Sequence, residues 1–354
     1  MSLPETMKAV IFDGPFEVSV QDRPVPKISD DRDIIVKVQA TALCGSELHV
    51  YRGHQPSGTG FIMGHEFAGI VVQAGPAVKT VKVGDKIVSP FTASCGECFY
   101  CKNGATSRCV DSVLFGCAKL DGGQADYVRV PMADGTVVKA PESISDQALI
   151  LMADIFPTGY FGVKSAVELR PSLDISQATI VVIGAGPVGI CAAISALQLK
   201  PKHCFVVDNV DSRLSIAEGL GATPLNFNDG IESMKSRVDA VTDGRGADLV
   251  VEVVGLSPAL RTAFDLIRPF GAISSIGVHN AEIPWSGAEG YAKNIRLQMG
   301  RCPVRSIFPE ALGVLSKVQD KVEFMFDNIR PLSDAKQAYI DFDKMKVHKV
   351  VFLP

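Results

Sequence analysis

Four cysteines in the first third of the chain have the spacing of a metal site. Cys95, Cys98, Cys101 and Cys109 follow the pattern C-x2-C-x2-C-x7-C. Four thiolates on one short loop can surround a zinc ion tetrahedrally, which leaves no position for a substrate. The same spacing could also hold an iron–sulfur cluster. Because a four-thiolate zinc site leaves no position for substrate, we expect this loop to be structural and to take no part in a reaction.

A glycine-rich segment follows a strongly apolar run in the middle of the chain. Residues 181–189 read VVIGAGPVG, a strand-like run that leads into G-x-G-x-x-G at Gly184, Gly186 and Gly189. In a dinucleotide-binding turn, the first glycine permits the tight turn, the second lets the backbone approach the pyrophosphate, and the third lets the helix pack on the strand. The helix N-terminus also favours the negative phosphates. The remaining residues of this predicted cofactor turn are Ala185, Pro187 and Val188.

An acidic residue stands where the ribose of such a cofactor would lie. Asp208 comes 24 residues after the first glycine, at the end of the next apolar run. A carboxylate there can bind both ribose hydroxyls and repels a 2′-phosphate, so the sequence predicts NAD rather than NADP. Arg213 could stack on the adenine, with binding of a phosphate as the alternative.

Two further segments combine a thiol, imidazoles and carboxylates. Residues 44–49 read CGSELH and residues 64–69 read GHEFAG. A lone cysteine or histidine is more often structural than functional. Here these residues accompany the four-cysteine loop and the dinucleotide turn, so we interpret the combination as functional.

The elements that must position these residues are of two kinds. The N-terminal part has short β-type runs separated by Gly and Pro, at 34–39, 69–73, 86–88 and 125–130. From Thr179 onward, apolar runs alternate with helical stretches, which is typical of a parallel sheet with helices on both faces. The predicted strands of that sheet are 179–183, 204–207, 248–251, 272–276 and 295–298.

The C-terminal tail is too short to form a domain of its own. It predicts helices at 309–318 and 333–343 and a closing strand at 349–353. We expect it to pack on the N-terminal part, which makes that domain discontinuous. The predicted fold class is α/β, with a Rossmann doubly wound parallel sheet and a second, mostly β domain. The predicted domains are 1–157 with 301–354, and 158–300.

The composition excludes several classes of protein. The chain has 354 residues, 47% hydrophobic and 21% charged, with a net charge of −4, which is ordinary for a globular protein of two domains. There is no basic patch for nucleic acid, and glycines break the longest apolar run, so neither nucleic acid nor membrane is an expected partner. Without a secretory signal at residues 1–8, we expect a cytoplasmic protein with reduced cysteines.

Taken together, these motifs resemble the zinc-containing medium-chain alcohol dehydrogenases. The resemblance covers nearly the whole chain, and residues 64–78 resemble the zinc signature of the family. It implies that the β domain is GroES-like and that Cys44 and His65 are the first two ligands of a catalytic zinc. With two ligand sets present, it implies two zinc ions per chain, NAD, and a small alcohol, aldehyde or ketone substrate.

The third ligand departs from the usual family pattern. That ligand is usually a cysteine before a Thr-Gly-Tyr-type segment, whereas residues 154–160 read DIFPTGY. Asp154 in that place resembles bacterial secondary alcohol dehydrogenases and the formaldehyde dehydrogenase branch. A carboxylate keeps the ligand charge but is harder than a thiolate, so we expect a stronger Lewis acid. Capping of the following helix is the structural alternative for Asp154. Glu66 resembles the alternate ligand or neighbouring carboxylate of the family.

The resemblance also assigns residues around the reaction. Ser46 is expected to accept the substrate proton and His49 to pass it to the surface; a turn-capping serine and a surface histidine are the structural alternatives. Phe91 is expected to form a wall of the substrate pocket, together with Ser46. Lys349 is interpreted as a solvated surface lysine, with a cofactor phosphate as the alternative contact. Thr158 resembles a residue near the nicotinamide. Independently of the resemblance, Val254, Ile276 and Gly277 fall at the carboxyl ends of predicted strands, where ligands bind in such sheets, so we expect them beside the cofactor.

Several functions remain open on the same scaffold. A polyol or amino-alcohol dehydrogenase would need a polar pocket, which Glu47, Tyr51, His54 and Gln55 could line. The DIFPTGY segment also suggests formaldehyde dismutation with tightly held NAD. A non-catalytic NAD-binding protein would lack zinc ligands or relay residues, and all of these are present. Family relatives form dimers or tetramers through the edge of the nucleotide-domain sheet, and the short segment between Cys109 and Asp154 favours a homotetramer.

Overall fold

The computed structural model describes residues 3–141 and 144–354. The chain divides into two compact units, Met1–Asp154 with Pro303–Pro354, and Ile155–Cys302. The boundaries that we expected from the sequence, at 157/158 and 300/301, lie close to these. No helix within the described residues is long and apolar enough to cross a bilayer.

The N-terminal part of the first unit consists mainly of antiparallel strands. Its strands are β1 (Thr6–Gly14), β2 (Glu17–Pro24), β3 (Ile34–Leu43), β4 (Glu66–Ala74), β5 (Lys86–Ser89), β6 (Thr92–Ala93), β7 (Val113–Leu114), β8 (Tyr127–Val130) and β9 (Val138–Lys139). Its helices are α1 (Glu47–Tyr51), α2 (Phe99–Lys102), α3 (Ala133–Thr136) and α4 (Asp146–Leu149), with 3-10 turns at Thr106–Arg108 and Ile150–Ala153. All four strands predicted in this part are confirmed, although their ends shift.

Strand β3 is the centre of the main sheet of this unit. It pairs antiparallel with β4 and β8, and its far end pairs with the C-terminal strand of the chain. Its β-branched residues Ile34, Val36 and Val38 are buried in one core cluster with Phe67 and Val71 of β4. β-branched side chains pack well on a pleated surface, which explains why this run forms a central strand.

The C-terminal tail completes the first unit. It contains α11 (Val304–Leu315), a 3-10 segment (Gln319–Phe326), β16 (Ile329–Pro331), a 3-10 turn (Leu332–Asp334), α12 (Ala335–Asp343) and β17 (Val350–Leu353). The closing strand β17 pairs antiparallel with β3, with Val351 opposite Ala42. The tail therefore adds a strand to the sheet that the N-terminal part began.

The predicted start of helix α11 was wrong. We expected the helix to begin at Pro309, because proline is favoured in the first turn of a helix. The helix begins at Val304 and keeps Pro309 in its interior. Ile307 and Phe308, which precede the proline, are buried together with Leu315, which follows it. Burial of this apolar face stabilises the helix by more than the loss of the one hydrogen bond that Pro309 cannot donate.

The second unit is a doubly wound parallel sheet. Its strands are β10 (Thr179–Ile183), β11 (His203–Asp208), β12 (Thr223–Asn226), β13 (Ala247–Glu252), β14 (Ile267–Ser275) and β15 (Arg296–Met299), in the order β12-β11-β10-β13-β14-β15. Its helices are α5 (Ile155–Glu168), α6 (Pro187–Gln198), α7 (Asp211–Gly219), α8 (Ile231–Thr242), α9 (Ser257–Leu266) and α10 (Gly287–Lys293), with 3-10 turns at Ile175–Gln177 and Phe227–Asp229. This strand order is that of a Rossmann fold, which confirms the predicted fold class.

Two features of this sheet were not predicted. Strand β12 was missed, because it is short and contains Pro224, a residue that disfavours a strand except at a sheet edge. Strand β14 begins at Ile267, five positions before the apolar run that signalled it at 272. The added residues include Arg268 and Gly271, which carry no strand pattern.

Candidate active site

Three neighbouring parts of the first unit bring four potential metal ligands together. Cys44 follows the end of β3, and His65 and Glu66 lie at the start of β4, which pairs with β3 through Ala42 opposite Glu66. Asp154 directly follows the 3-10 turn Ile150–Ala153. One ligand atom from each of the four residues lies within 4.8 Å of the others, and all four residues are buried.

The spacing and the chemistry of these four residues fit zinc. Oδ2 of Asp154 lies 3.2 Å from Nε2 of His65 and 3.8 Å from Sγ of Cys44. Ligands held 2.0–2.3 Å from one tetrahedral ion are about 3.5 Å apart, so these distances suit a single zinc. Oε1 of Glu66 is buried and has no hydrogen-bond partner among the described residues, as expected for an oxygen that awaits an ion or a ligand.

Behind the histidine, Glu47 fixes the orientation of the ring. Its Oε1 lies 3.4 Å from Nδ1 of His65, and the backbone N–H groups of Cys44 and His65 donate to its carboxylate at 2.9 and 3.2 Å. Nε2 is therefore the nitrogen that faces the ligand cluster. Burial lowers the pKa of His65, but the charge of Glu47 and the hydrogen bond with Asp154 raise that pKa well above its usual value.

The expectation that Glu47 and Tyr51 line a polar pocket was wrong. Both oxygens of Glu47 are occupied by the contacts just described, and Tyr51 is buried in an apolar cluster with Tyr339 and Phe342. The buried residues of helix α1 are Glu47, Leu48 and Tyr51, so this face of the helix packs in the core. His54 and Gln55, which follow this helix, are exposed.

The interpretation of Lys349 as a surface lysine was also wrong. Lys349 is fully buried and forms an ion pair with Oε2 of Glu66. It directly precedes β17, the strand that pairs with β3, and this pairing carries its side chain into the first unit beside the ligand cluster. Burial lowers the pKa of Lys349, but the charges of Glu66 and Cys44, together with the hydrogen bond to Glu66, outweigh burial and raise it, which favours the charged ammonium.

Ser46 and Phe91 lie close to the side chains of the ligand cluster, and His49 lies farther along helix α1. Oγ of Ser46 lies 3.4 Å from both Sγ of Cys44 and Nε2 of His65. The ring of Phe91 meets the His65 ring edge-on at 6.1 Å. His49 is half-buried on α1 and, within the described part of the chain, shares no side-chain hydrogen bond with Ser46; burial and the nearby His54 and Arg52 lower its pKa.

The four cysteines of the loop at 95–109 form a second compact cluster. Their Sγ atoms all lie within 4.8 Å of one another, which suits four thiolates around one ion, whereas a cluster of several irons would hold them farther apart. Backbone N–H groups of Cys95 and Cys98 donate to the sulfurs of Cys109 and Cys95 at 3.2 and 3.4 Å. Backbone donors at Cys101 and Val110 lower the pKa of Cys98 to about 6, so its thiolate is favoured.

In the second unit, the three glycines of the predicted cofactor turn have three different environments. Gly184 directly follows β10 and has φ +99°, a conformation that favours glycine. A Cβ on Gly189 would lie 1.7 Å from the carbonyl oxygen of Gly184, so only glycine allows helix α6 to approach the turn. A Cβ on Gly186 would meet nothing within 4 Å, which leaves open space where a pyrophosphate would pass. Pro187 opens α6, so the missing N–H costs no helical bond.

Asp208 lies at the end of β11 and holds the glycine turn. The N–H of Ala185 donates to its Oδ2 at 2.6 Å, and the N–H groups of Asn209 and Val210 donate to its Oδ1 at 2.8 and 3.0 Å. Arg213 places Nη1 at 3.8 Å from Oδ2. The predicted ribose-binding acid therefore has a second role that the sequence did not reveal, which is to tie the turn between β10 and α6 to the neighbouring strand.

A buried acid that the sequence analysis missed shapes the neighbouring loop. Glu252 ends β13, is fully buried, and accepts hydrogen bonds from the N–H groups of Val254 and Gly255 at 2.7 and 2.6 Å and from Ser275. An acid at the end of an apolar strand was the available signal. Val254 lies beside Gly184, and Gly277 packs against Gly255. Ile276 and Val188 lie close to helix α5. The first turn of this helix contains Thr158.

Comparisons with known proteins agree with this geometry. Residues 30–142 match the alcohol dehydrogenase GroES-like domain, and residues 187–317 match the zinc-binding dehydrogenase family. The chain is 59% identical over 352 residues to zinc-type alcohol dehydrogenase B of Aspergillus flavus, which covers 99% of this chain and 82% of the relative. It is 30% identical to the formaldehyde dismutase of Pseudomonas putida, over 98% and 97% of the two chains. Among solved structures, alcohol dehydrogenase TADH from Thermus sp. ATN1 is 32% identical, with a TM-score of 0.91 over 98% of this chain and 99% of that one.

Proposed function

Because the chain belongs to the zinc-dependent medium-chain alcohol dehydrogenase family, we propose that it is an NAD-dependent oxidoreductase that transfers a hydride between NAD(H) and a small alcohol, aldehyde or ketone. The observation that carries this proposal is the buried cluster of Cys44, His65 and Asp154, whose donor atoms have the spacing of a three-ligand zinc site. Three protein ligands leave one position open for substrate, which is the mark of a catalytic site.

Two zinc ions per chain are part of the proposal, because the chain contains two sets of ligands. Cys44, His65 and Asp154 would hold the catalytic ion, with Glu66 as the alternate ligand, and the four cysteines of the loop at 95–109 would hold a structural ion. When bound, the catalytic zinc supplies a Lewis acid that polarises the oxygen of the substrate. Glu47 keeps Nε2 of His65 turned towards the cluster, and Lys349 neutralises Glu66, so the chain itself fixes the charge and shape of the site.

Ser46 is the proposed first acceptor of the substrate proton. Its Oγ lies at the edge of the cluster, 3.4 Å from Nε2 of His65, where a substrate oxygen beside the ligands would be within reach. His49 is the proposed outlet, with a water molecule as the proposed bridge between it and Ser46. Phe91 excludes water on one side of His65 and favours an apolar, uncharged substrate.

The second unit is the proposed NAD-binding unit. Gly186 leaves room for the pyrophosphate, and the N-terminus of α6 favours its charge. The Asp208 carboxylate would accept the ribose hydroxyls and repel a 2′-phosphate, with Arg213 alongside. Residues Thr158, Val254, Ile276 and Gly277 are proposed to line the rest of the cofactor site.

The proposal is tested by turnover. Purified protein is assayed for NAD⁺ reduction with primary and secondary alcohols and for NADH oxidation with aldehydes and ketones, before and after treatment with a zinc chelator. We expect turnover that chelation abolishes and added zinc restores. Binding of NAD without turnover of any substrate in the panel would contradict the proposal and support a non-catalytic NAD-binding protein.

Formaldehyde dismutation is the second candidate. It is favoured by the similarity to the formaldehyde dismutase of Pseudomonas putida and by Asp154 in place of a cysteine. The protein is incubated with formaldehyde and no added NAD, and formate and methanol are measured. Equal yields of both products, sustained over many turnovers, would establish dismutation, whereas dependence on added NAD would support the dehydrogenase.

Assembly and location form the last part of the proposal. Strand β15 forms one edge of the parallel sheet, and an edge strand readily pairs with a second copy of itself. We expect a homotetramer built from dimers that pair through this edge, which light scattering would report as four chains. A cytoplasmic location fits the four thiolates of the cysteine loop, which need a reducing compartment, and cell fractionation tests it.

A further inference from the structure

A chain of buried polar side chains extends from the back of His65 to the C-terminal helix α12. It runs from His65 through Glu47 and Gln124 to Tyr339. Gln124 and Tyr339 are fully buried, and Glu47 is nearly so. Neither Gln124 nor Tyr339 belongs to any motif described above, and the two are 215 positions apart in the chain.

The hydrogen bonds along this chain have one consistent direction. The hydroxyl of Tyr339 donates to Oε1 of Gln124 at 3.0 Å. With its amide oxygen occupied in this way, Gln124 turns Nε2 towards both oxygens of Glu47, at 3.4 and 3.5 Å. An ionised carboxylate only accepts hydrogen bonds, so a donor amide is the required partner here.

The backbone is built around the position of Gln124. Gly64, the residue before His65, has φ +100°, and a Cβ there would lie 2.6 Å from Cγ of Gln124. The carbonyl of Gln124 accepts from the N–H of Val10, and the N–H of Gln124 donates to the carbonyl of Met63, so the backbone at this residue is held from both directions. The segment that carries His65 and the residue that supports Glu47 are therefore packed against each other.

We propose that Gln124 and Tyr339 are positioning residues for the metal-binding histidine. They hold the Glu47 carboxylate against Nδ1 of His65, and this contact sets the angle at which Nε2 meets the metal. The inference rests on the proposed zinc site at Cys44, His65 and Asp154. Partners outside the ligand set of a metal site typically contribute 10- to 100-fold in metal affinity or activity, about the effect we expect for the residue that contacts Glu47.

Two variants and one matched control test this inference. Gln124→Met keeps the length of the side chain and removes its hydrogen bonds, and Tyr339→Phe removes only the hydroxyl. Tyr51→Phe is the control: Tyr51 lies in the same apolar cluster, with its ring 5.1 Å from that of Tyr339, but within the described residues its hydroxyl makes no hydrogen bond to Glu47, Gln124 or His65. All three purified proteins are compared with the unmodified protein.

The readouts are the affinity of the catalytic site for Zn²⁺, by competition with a chelator, and the visible absorption spectrum of the Co²⁺-substituted site. We expect Gln124→Met to weaken zinc binding ~10-fold or more and Tyr339→Phe to weaken it several-fold. Both should shift the Co²⁺ spectrum, because the angle of the imidazole changes. Tyr51→Phe should leave both readouts unchanged. In every variant, the metal affinity of the four-cysteine site should also be unchanged.

A double-substitution cycle tests whether Tyr339 acts through Glu47. In a Glu47→Gln background, Tyr339→Phe should have little further effect, because the contact that it supports has already been altered. This inference would be overturned if the effects of Glu47→Gln and Tyr339→Phe on zinc affinity were fully additive. It would also be overturned if Gln124→Met and Tyr339→Phe both left the zinc affinity and the Co²⁺ spectrum unchanged. Either result would leave the proposed function standing. If Gln124→Met does not fold, Tyr339→Phe decides. An unmodified protein that binds no metal at Cys44, His65 and Asp154 would overturn the proposed function itself.

Discussion

Oδ2 of Asp154 lies 3.2 Å from Nε2 of His65, although the two residues are 89 positions apart in the chain. His65 is placed by the start of β4, and Asp154 by the short 3-10 turn that ends the N-terminal part of the first unit. The carboxylate is therefore turned towards the cluster, as the proposed role of a third ligand requires. This relationship connects the unusual residue at position 154 with the proposed chemistry.

The glycines of the cofactor turn give opposite predictions for the same substitution. Gly189→Ala should lower the free energy of unfolding by about 3 kcal/mol or more, because its Cβ would overlap the carbonyl oxygen of Gly184. Gly186→Ala should fold normally, since its Cβ would enter open space, and should weaken NAD binding. Thermal unfolding and NAD titration measure the two effects. Equal stability losses in both variants would contradict these roles.

Asp208 should control the choice between NAD and NADP. Asp208→Ala combined with Asn209→Arg removes the repulsion of a 2′-phosphate and adds a positive charge, so kcat/KM should shift towards NADP. The variant should also lose about 1–3 kcal/mol of stability, because three backbone N–H groups lose their acceptor. Asp211→Ala, a change to a nearby exposed acid, is the control and should keep the NAD preference. An unmodified protein that prefers NADP would refute the assignment.

Substitutions of Lys349 and Glu66, the two members of the buried ion pair, should have strongly non-additive effects on the free energy of unfolding. Lys349→Met leaves the Glu66 carboxylate buried without its counter-charge, which should lower the free energy of unfolding by about 3–5 kcal/mol. The double variant Lys349→Met with Glu66→Gln should recover most of that loss. Chemical denaturation of the three proteins measures the coupling, and a double variant no more stable than Lys349→Met would show that the pair is not the cause.

The four-cysteine site should affect stability more than chemistry. Cys98→Ser should remove one zinc per chain and lower the melting temperature, while a folded fraction keeps its turnover per catalytic zinc. Elemental analysis and thermal unfolding provide the measurements. Abolished turnover in a folded Cys98→Ser protein that retains its catalytic zinc would contradict a purely structural site.

Local patterns in the sequence were sufficient for the fold and for naming the candidate ligands that the structure brings together, because the glycine turn, the four-cysteine loop and the apolar strands are each contained in a short segment. The partners of Lys349 and Tyr339 could not be predicted, because they lie 283 and 215 positions away and depend on how β17 and α12 pack on β3 and its neighbours. Pro309 misled the prediction of α11 for a similar reason, since tertiary burial overrode a local preference.

The most direct test of the central claim compares Asp154→Asn and Asp154→Cys in zinc content and turnover. Asn caps a helix about as well as Asp but removes the ligand charge, so Asp154→Asn should keep its thermal stability and lose catalytic zinc affinity by ~100-fold or more, together with turnover. Asp154→Cys keeps an anionic ligand and should retain zinc and part of the activity. Near-normal zinc content and turnover in Asp154→Asn would show that Asp154 is not a ligand and would contradict the proposed active site.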